Sequence, residues 1–220
     1  CEVNYPLRVL CYTESWQQRH LDVYGQAIAQ AERAELVSPE VLKSIASTGT
    51  PDGVIAIAPR RNVWEALSSQ PKDEVSLGVM LETLQDPGNL GTIIRTAAAA
   101  GCEGLWLSED SVDLGHPKVL RASVGQWFRQ PMTSINIVEQ AAQFKERGMQ
   151  VVATTAAAEL DLTQPTVVVM GYEGSGLSDE LMDCASVAVK IPVAAAVESL
   201  NVAVSTALLL YEAKRQRNLM

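Results

Sequence analysis

From residue 75 onward, short apolar runs alternate with amphipathic stretches at a regular interval. VSLGVMLE (75–82), GLWLS (104–108), MTSINIV (132–138), MQVVATT (149–155), TVVVMG (166–171) and SVAVKIP (186–192) are rich in β-branched residues and predict strands. The stretches between them predict helices. NLGTIIRTAAAAG (89–101) closes on a glycine, PKVLRASVG (117–125) opens on a proline, and EQAAQFKERG (139–148) again ends in glycine. A short helix fits 178–184, and a long one fits ESLNVAVSTALLLYEAKRQ (198–216). Lys214, Arg215 and Arg217 lie at the carboxyl end of that last helix, where its dipole favours cations. Nearly continuous apolar strands separated by crossover helices predict an α/β layer fold with a largely parallel sheet.

Residues 1–74 follow a different pattern. RVLCYTES (8–15) and GVIAIAP (53–59) predict strands, and helices are expected near 22–34 and 39–46. RRNVWEALSSQPKDE (60–74) reads as a linker with some helix. This divides the chain into a small α/β domain over 1–74 and a larger one over 75–220. No internal repeat or low-complexity segment stands out.

Composition narrows the classes. With 47% apolar and 20% charged residues, the 220-residue chain is an ordinary globular sequence. Charge, Gly or Pro interrupts every apolar run before it reaches the length of a membrane span, and no signal peptide is visible. Cys1, Cys11, Cys102 and Cys184 show no close pairing and there are only two histidines, so no metal is expected. Reduced thiols and a cytoplasmic location are the expectation. A net charge of −9 argues against non-specific nucleic-acid binding by the whole surface, while leaving room for a local basic groove.

Four segments carry candidate chemistry. In MGYEGSGLSD (170–179) a buried strand gives way to three glycines and Glu173. The spacing is neither that of a dinucleotide fingerprint nor that of a P-loop, which excludes a nicotinamide-dependent oxidoreductase and a nucleotide cradle. A tight turn explains the glycines, whereas a carboxylate at the carboxyl end of a strand sits where α/β folds bind ligands. In LETLQDPGNLGTIIRTAAAAG (81–101), Asn89 is either a helix cap or a site residue. Arg95, among Ile, Thr and Ala, is expected to face crowded packing and to be salt-bridged or functional. In IPVAAAVESLNVAVSTALLLYE (191–212), small residues allow close backbone approach, and capping explains one of Ser199 and Asn201 more easily than both. In HPKVLRASVGQWFRQP (116–131), Lys118, Arg121 and Arg129 interleave with Trp127 and Phe128. That pattern suits phosphate contact and base stacking, and equally a partly buried amphipathic helix.

Taken in order, three of these segments resemble the SpoU-type (TrmH-like) branch of the SPOUT trefoil-knot RNA methyltransferases. NLGTIIRTAAAAG matches the family's N-x-G-x-x-x-R-T-A motif, VVVMGYEGSGLSDE its G-x-E-G-x-G-L loop, and IPVAAAVESLNVAVSTALLLYE its I-P-M…S-L-N-V helix motif. PKVLRASVG resembles the family's basic stretch between motifs. GTPDGVIAIAP (49–59) resembles the end of its small substrate-binding domain, of a ribosomal-protein-like α/β fold, and the beginning of that domain would lie outside this chain.

The resemblance implies a parallel-sheet SPOUT domain with a deep C-terminal trefoil knot, a homodimer, and S-adenosyl-L-methionine as methyl donor. It implies methylation of an RNA ribose 2′-hydroxyl, with ribosomal RNA favoured over transfer RNA. Donor-binding residues would be Gly171, Ile191 and Leu200, with Gly176 and Thr154. The catalytic set would be Arg95, Asn89, Glu173, Ser199 and Asn201, and RNA would be met by Lys118, Arg121 and Arg129. The family assigns the activating role to Arg95, and a guanidinium acts as a base only where its surroundings strongly disfavour charge. Tyr172 and Val193 depart from the family pattern without removing a group of assigned role. A non-catalytic RNA-binding protein of the same fold is the alternative.

Overall fold

The computed structural model describes residues 5–59, 75–154, 160–171 and 176–217. Tyr172, Glu173 and the 60–74 linker lie outside the described residues. The chain divides into two compact units, residues 1–62 and 63–220.

The first unit is built on three strands in the order β2-β1-β3: β1 Leu7–Tyr12, β2 Ala31–Leu36 and β3 Val54–Ile57. β2 runs parallel to β1, and β3 antiparallel. Helices α1 (Glu14–Arg19), α2 (Leu21–Gln30) and α3 (Pro39–Ile45) complete it. Leu10, Tyr12, Trp16 and Ala27 form its core. Two expectations are corrected. The strand beginning at Arg8 stops at Tyr12, because the buried Thr13 side chain accepts the Trp16 N–H and starts a helix. The helix predicted over 22–34 ends at Gln30, and AERAEL becomes the mostly exposed edge strand β2.

The second unit is a six-stranded sheet, all of whose pairings are parallel, in the order β6-β5-β4-β8-β7-β9. Its strands are β4 Leu77–Leu81, β5 Gly104–Leu107, β6 Met132–Ser134, β7 Gln150–Thr154, β8 Thr166–Met170 and β9 Val187–Val189. The central strands β4 and β8 are buried along their whole length, as strands covered on both faces must be. Alternate residues Met80, Val151, Val167 and Val169 pack with Ile137, Ala141, Phe144 and Leu181, from helices α6 (Ile137–Glu146) and α7 (Asp179–Cys184). Trp106 belongs to this face and meets Phe144 edge-on, with ring centroids 4.8 Å apart. Its ring lies over the paired Gly78 and Gly104, where an added Cβ would come within 2.6 Å of ring carbons.

The remaining helices are α4 (Pro87–Ala100), α5 (Pro117–Ala122) and α8 (Val202–Gln216). α4 packs against both α5 and α8. Gly91 permits the α4–α5 contact: a Cβ there would overlap the Ala122 side chain and come within 2.9 Å of the Val119 carbonyl. Boundaries shift where capping decides them. α4 starts at Pro87 because Asp86 accepts the Asn89 N–H at 2.7 Å, so the cap is Asp86 rather than Asn89. The strand predicted to run to residue 138 ends at Ser134, and Asn136 caps α6. The last helix begins at Val202, four residues later than its pattern suggested.

The carboxyl end of α8 is tied back firmly. Arg217 donates to the carbonyls of Leu162, Ser76 and Gln164 and to the Ser76 hydroxyl, over 2.5–3.0 Å. Burial lowers its guanidinium pKa from the ordinary value, yet four acceptors hold the charge in place. Among the described residues, no helix is long and apolar enough to cross a membrane.

Candidate active site

Parallel sheets collect their strand-to-helix loops at the carboxyl ends of the strands, where ligands bind. A cleft of about 260 Å³ opens there, beside β7, β8 and β9. Thr154, Gly171, Gly176, Ile191, Ser199 and Leu200 line it. All five predicted donor-binding residues thus share one cavity with Ser199 of the predicted catalytic set. The sequence reading passed over Leu177, Lys190, Glu198 and Ser205, which also line the cleft. Lys190, directly before Ile191-Pro192, and Glu198, directly before Ser199, could have been found by extending the motifs one residue.

The glycines of the loop serve two different purposes. Gly176 has φ +76° and open space around its absent side chain, so its backbone conformation calls for glycine. Gly171 has no such φ. A Cβ there would lie 2.6 Å from the Leu177 N and closer still to the Gly176 carbonyl group. It is small because the two arms of the loop cross against it, not because a ligand alone needs the room.

A second cluster links the first and third motifs. Asn201 Nδ2 donates to Asn89 Oδ1 at 3.0 Å across 112 positions of sequence. The Asn201 Oδ1 also accepts the Ala203 and Val204 N–H groups, capping α8. Asp86, below Asn89, carries a pKa lowered by the Asn89 N–H and further by Lys118, whose Nζ is 3.4 Å away.

Arg95 departs from expectation. Leu90, Ile93, Ile94 and Ala97 form the buried stripe of α4, and Arg95 lies exposed on the opposite side. Six residues beyond Asn89, it stands about 240° around the helix and about 9 Å along it. It does not line the cleft, and it makes no hydrogen bond or ion pair with a described residue. Its guanidinium is open to solvent.

The basic segment is only partly as expected. Lys118, Arg121 and Arg129 are exposed. Trp127 is buried, its Nε1 donating to the Leu114 carbonyl, and its ring meets Phe128 edge-on at 5.0 Å. The Trp127 ring is a packing element, not a free platform for bases.

Residues 76–211 match the model of the SpoU rRNA Methylase family. The chain belongs to that family. An uncharacterised tRNA/rRNA methyltransferase of Synechocystis is 43% identical over 213 residues, covering 94% of this chain and 76% of that protein. A 23S rRNA (guanosine-2′-O-)-methyltransferase of Pseudomonas syringae is 33% identical over 201 residues, covering 87% and 78%. Among solved structures, the AdoMet-bound rRNA methyltransferase of Sinorhizobium meliloti superposes with a TM-score of 0.81 at 31% identity, covering 97% of this chain and 82% of that one.

The SpoU cleft suits an adenosyl group on its own geometry. Val189, Ile191 and Leu200 supply apolar walls, Gly171 and Gly176 expose backbone, and Lys190 and Glu198 bring opposite charges to the lining.

Proposed function

We propose that this SpoU protein is an S-adenosyl-L-methionine-dependent RNA methyltransferase that methylates a ribose 2′-hydroxyl, with ribosomal RNA as the favoured substrate. The observation that carries this reading is the cleft itself, in which the loop after β8 and the Ile191–Leu200 segment meet, with the Asn89–Asn201 bond joining the first motif to the third.

Gly171, Gly176, Ile191, Leu200 and Thr154 would hold the donor, which supplies an electrophilic methyl group on a sulfonium. The residues of the chain do the rest. A ribose hydroxyl is a weak nucleophile and must be aligned in line and relieved of its proton. Ser199, in the cleft lining, would orient the ribose, and the Asn89–Asn201 bond would hold the starts of α4 and α8 together. Glu173 completes the proposed set from outside the described residues. An exposed Arg95 suits pairing with an RNA phosphate better than proton abstraction. Lys118, Arg121 and Arg129 would extend that contact along the RNA, and the 1–74 domain would add a second contact beyond the 75–220 methyltransferase domain.

A homodimer is supported by an uncovered apolar stripe on α8. Val204, Leu208 and Tyr211 lie on one face at i, i+4 and i+7, exposed by 49%, 48% and 47%. α8 packs beside α4, whose outer face carries Arg95, and a second copy would cover both helices. The trefoil knot is supported by the path from the interior strand β8 out to the edge strand β9, followed by a helix whose end bonds the chain before β4. A cytoplasmic location agrees with the free thiols of Cys11, Cys102 and Cys184.

The test is transfer of labelled methyl groups from S-adenosylmethionine into total RNA, then digestion and identification of the labelled nucleoside. A 2′-O-methylated ribosomal nucleotide is expected, lost in Arg95→Ala. Donor binding without transfer to any RNA would favour a non-catalytic RNA-binding protein.

A further inference from the structure

The donor loop is held at both ends by one residue that lies in neither the cleft lining nor the predicted catalytic set. Glu82 follows the last residue of β4. Its N–H donates to the Met170 carbonyl at 2.9 Å, prolonging the β4–β8 pairing to the point where the loop leaves the sheet. Its carboxylate Oε2 accepts the Ser178 N–H at 2.8 Å, 96 positions away, where the loop ends and α7 begins. Between those two anchors lie Gly171, Gly176 and Leu177, all lining the cleft.

The backbone around Glu82 is itself fixed at a cost. Thr83 has φ +51°, a left-handed conformation that a β-branched residue rarely adopts. Bonds to the neighbouring loop hold it there. The Thr83 N–H donates to Ser108 Oγ at 2.7 Å, its hydroxyl donates to Asp110 Oδ2 at 2.8 Å, and the Leu84 N–H donates to Ser111 Oγ at 3.1 Å. A strained residue retained by several independent bonds is a positional device. Here it sets the residue that sets the donor loop.

We infer that Glu82 is a positioning residue for methyl transfer: its carboxylate fixes the end of the donor-binding loop by bonding the Ser178 N–H, and so couples β4 to the second-motif loop. The inference rests on the cleft being the S-adenosylmethionine site, as proposed above. Glu82 does not line the cleft. It acts by keeping Gly171, Gly176 and Leu177 at the spacing that makes the cleft.

The test compares Glu82→Ala with Glu82→Gln, which keeps a carbonyl oxygen able to accept the Ser178 N–H. S-adenosylmethionine affinity is measured by calorimetry, and kcat and KM for donor and for RNA by methyl transfer. Glu82→Ala is expected to bind donor about tenfold more weakly, equivalent to about 1.4 kcal/mol, with the RNA KM unchanged and Glu82→Gln within about threefold of wild type. A loss confined to donor affinity and rescued by the amide is not what general destabilisation produces.

A pair of Ser178 variants keeps the test decisive should Glu82→Ala fail to fold. Ser178 has φ −63°, which proline adopts without strain, so Ser178→Pro deletes the N–H, while Ser178→Ala deletes only the hydroxyl cap. Ser178→Pro should weaken donor binding well beyond Ser178→Ala. In the Ser178→Pro background, Glu82→Gln should change nothing further. Donor affinity in Glu82→Ala within twofold of wild type, or equal affinities in the two Ser178 variants, overturns the inference. A wild-type protein that binds no S-adenosylmethionine instead overturns the functional reading on which it rests.

Discussion

Replacing Gly171 with alanine puts one methyl group where the two arms of the donor loop cross. The added Cβ would stand 2.6 Å from the Leu177 N, whereas ordinary contact begins at 3.4 Å. The arm carrying Gly176 and Leu177 must therefore recede by at least about 0.8 Å, a displacement of the size that costs a catalytic site tens-fold. Forcing a methyl into packed backbone costs about 1–3 kcal/mol, which in a domain of this size lowers the melting temperature by about 2–12 °C. Gly176→Ala is the matched control. It meets open space, and only the left-handed φ resists it, at about 1 kcal/mol. Both variants are to be melted with and without S-adenosylmethionine and titrated with it by calorimetry. Gly171→Ala should lose at least about tenfold in donor affinity and Gly176→Ala about threefold or less. The reverse order, or wild-type affinity in Gly171→Ala, would refute the crossing-arms account of the loop.

Three further outcomes follow from the packing. Arg217→Ala strips the Leu162 carbonyl of its guanidinium donor and leaves the Ser76 and Gln164 carbonyls with Thr166 alone, so it should lower stability to urea by about 2–3 kcal/mol, and lysine, a single point charge, should recover less than half of it. Gly91→Ala drives a methyl into Ala122 and the Val119 carbonyl, so α4 and α5 must part; a loss of about 1–3 kcal/mol is expected in thermal melts, with some loss of activity because Asn89 rides on the same helix. The Cys102 thiol is pushed up to about 12 by burial, so a thiol reagent should label Cys11 and Cys184 in the native protein and reach Cys102 only after unfolding. The same shift sets a sign. Below about pH 9 the thiol is neutral in both states, while from there towards 12 only the unfolded chain ionises, so stability falls with rising pH across that window.

The parts of the fold legible in the sequence are those whose burial is complete. β4 and β8 read as unbroken apolar runs because both faces are covered, and the residues that line the cleft beside β8 come largely from two segments singled out in the sequence, the glycine loop and Ile191–Ser205. β2 was illegible for the opposite reason. AERAEL alternates charges on an exposed edge strand, which looks like the continuation of a polar helix. Helix starts were misplaced where two capping residues competed, as with Asp86 and Asn89. The exposure of Arg95 was legible and missed. Leu90, Ile93, Ile94 and Ala97 define the buried stripe by their spacing alone, but the small residues around Arg95 suggested close packing on every side. Glu82 was not legible at all, because its partner is the N–H of Ser178, a group that every residue but proline carries.

Asn201 shows how a motif residue can answer two explanations at once. Its side-chain oxygen is engaged by two N–H groups of α8, and its amide nitrogen by Asn89, leaving a single amide hydrogen for anything else. Capping and bridging can be pulled apart by substitution. Serine is as good a cap as asparagine but carries no amide to donate to Asn89, and alanine provides neither cap nor bridge. Asn201→Ser should therefore melt near the wild type and Asn201→Ala about 1 kcal/mol lower, while both lose the bridge and a similar share of kcat. If activity instead tracks stability, with Asn201→Ser fully active, then the cap alone is what the enzyme needs from this residue. In that case the bond to Asn89 is a consequence of the fold and not a means by which the first and third motifs are held in register.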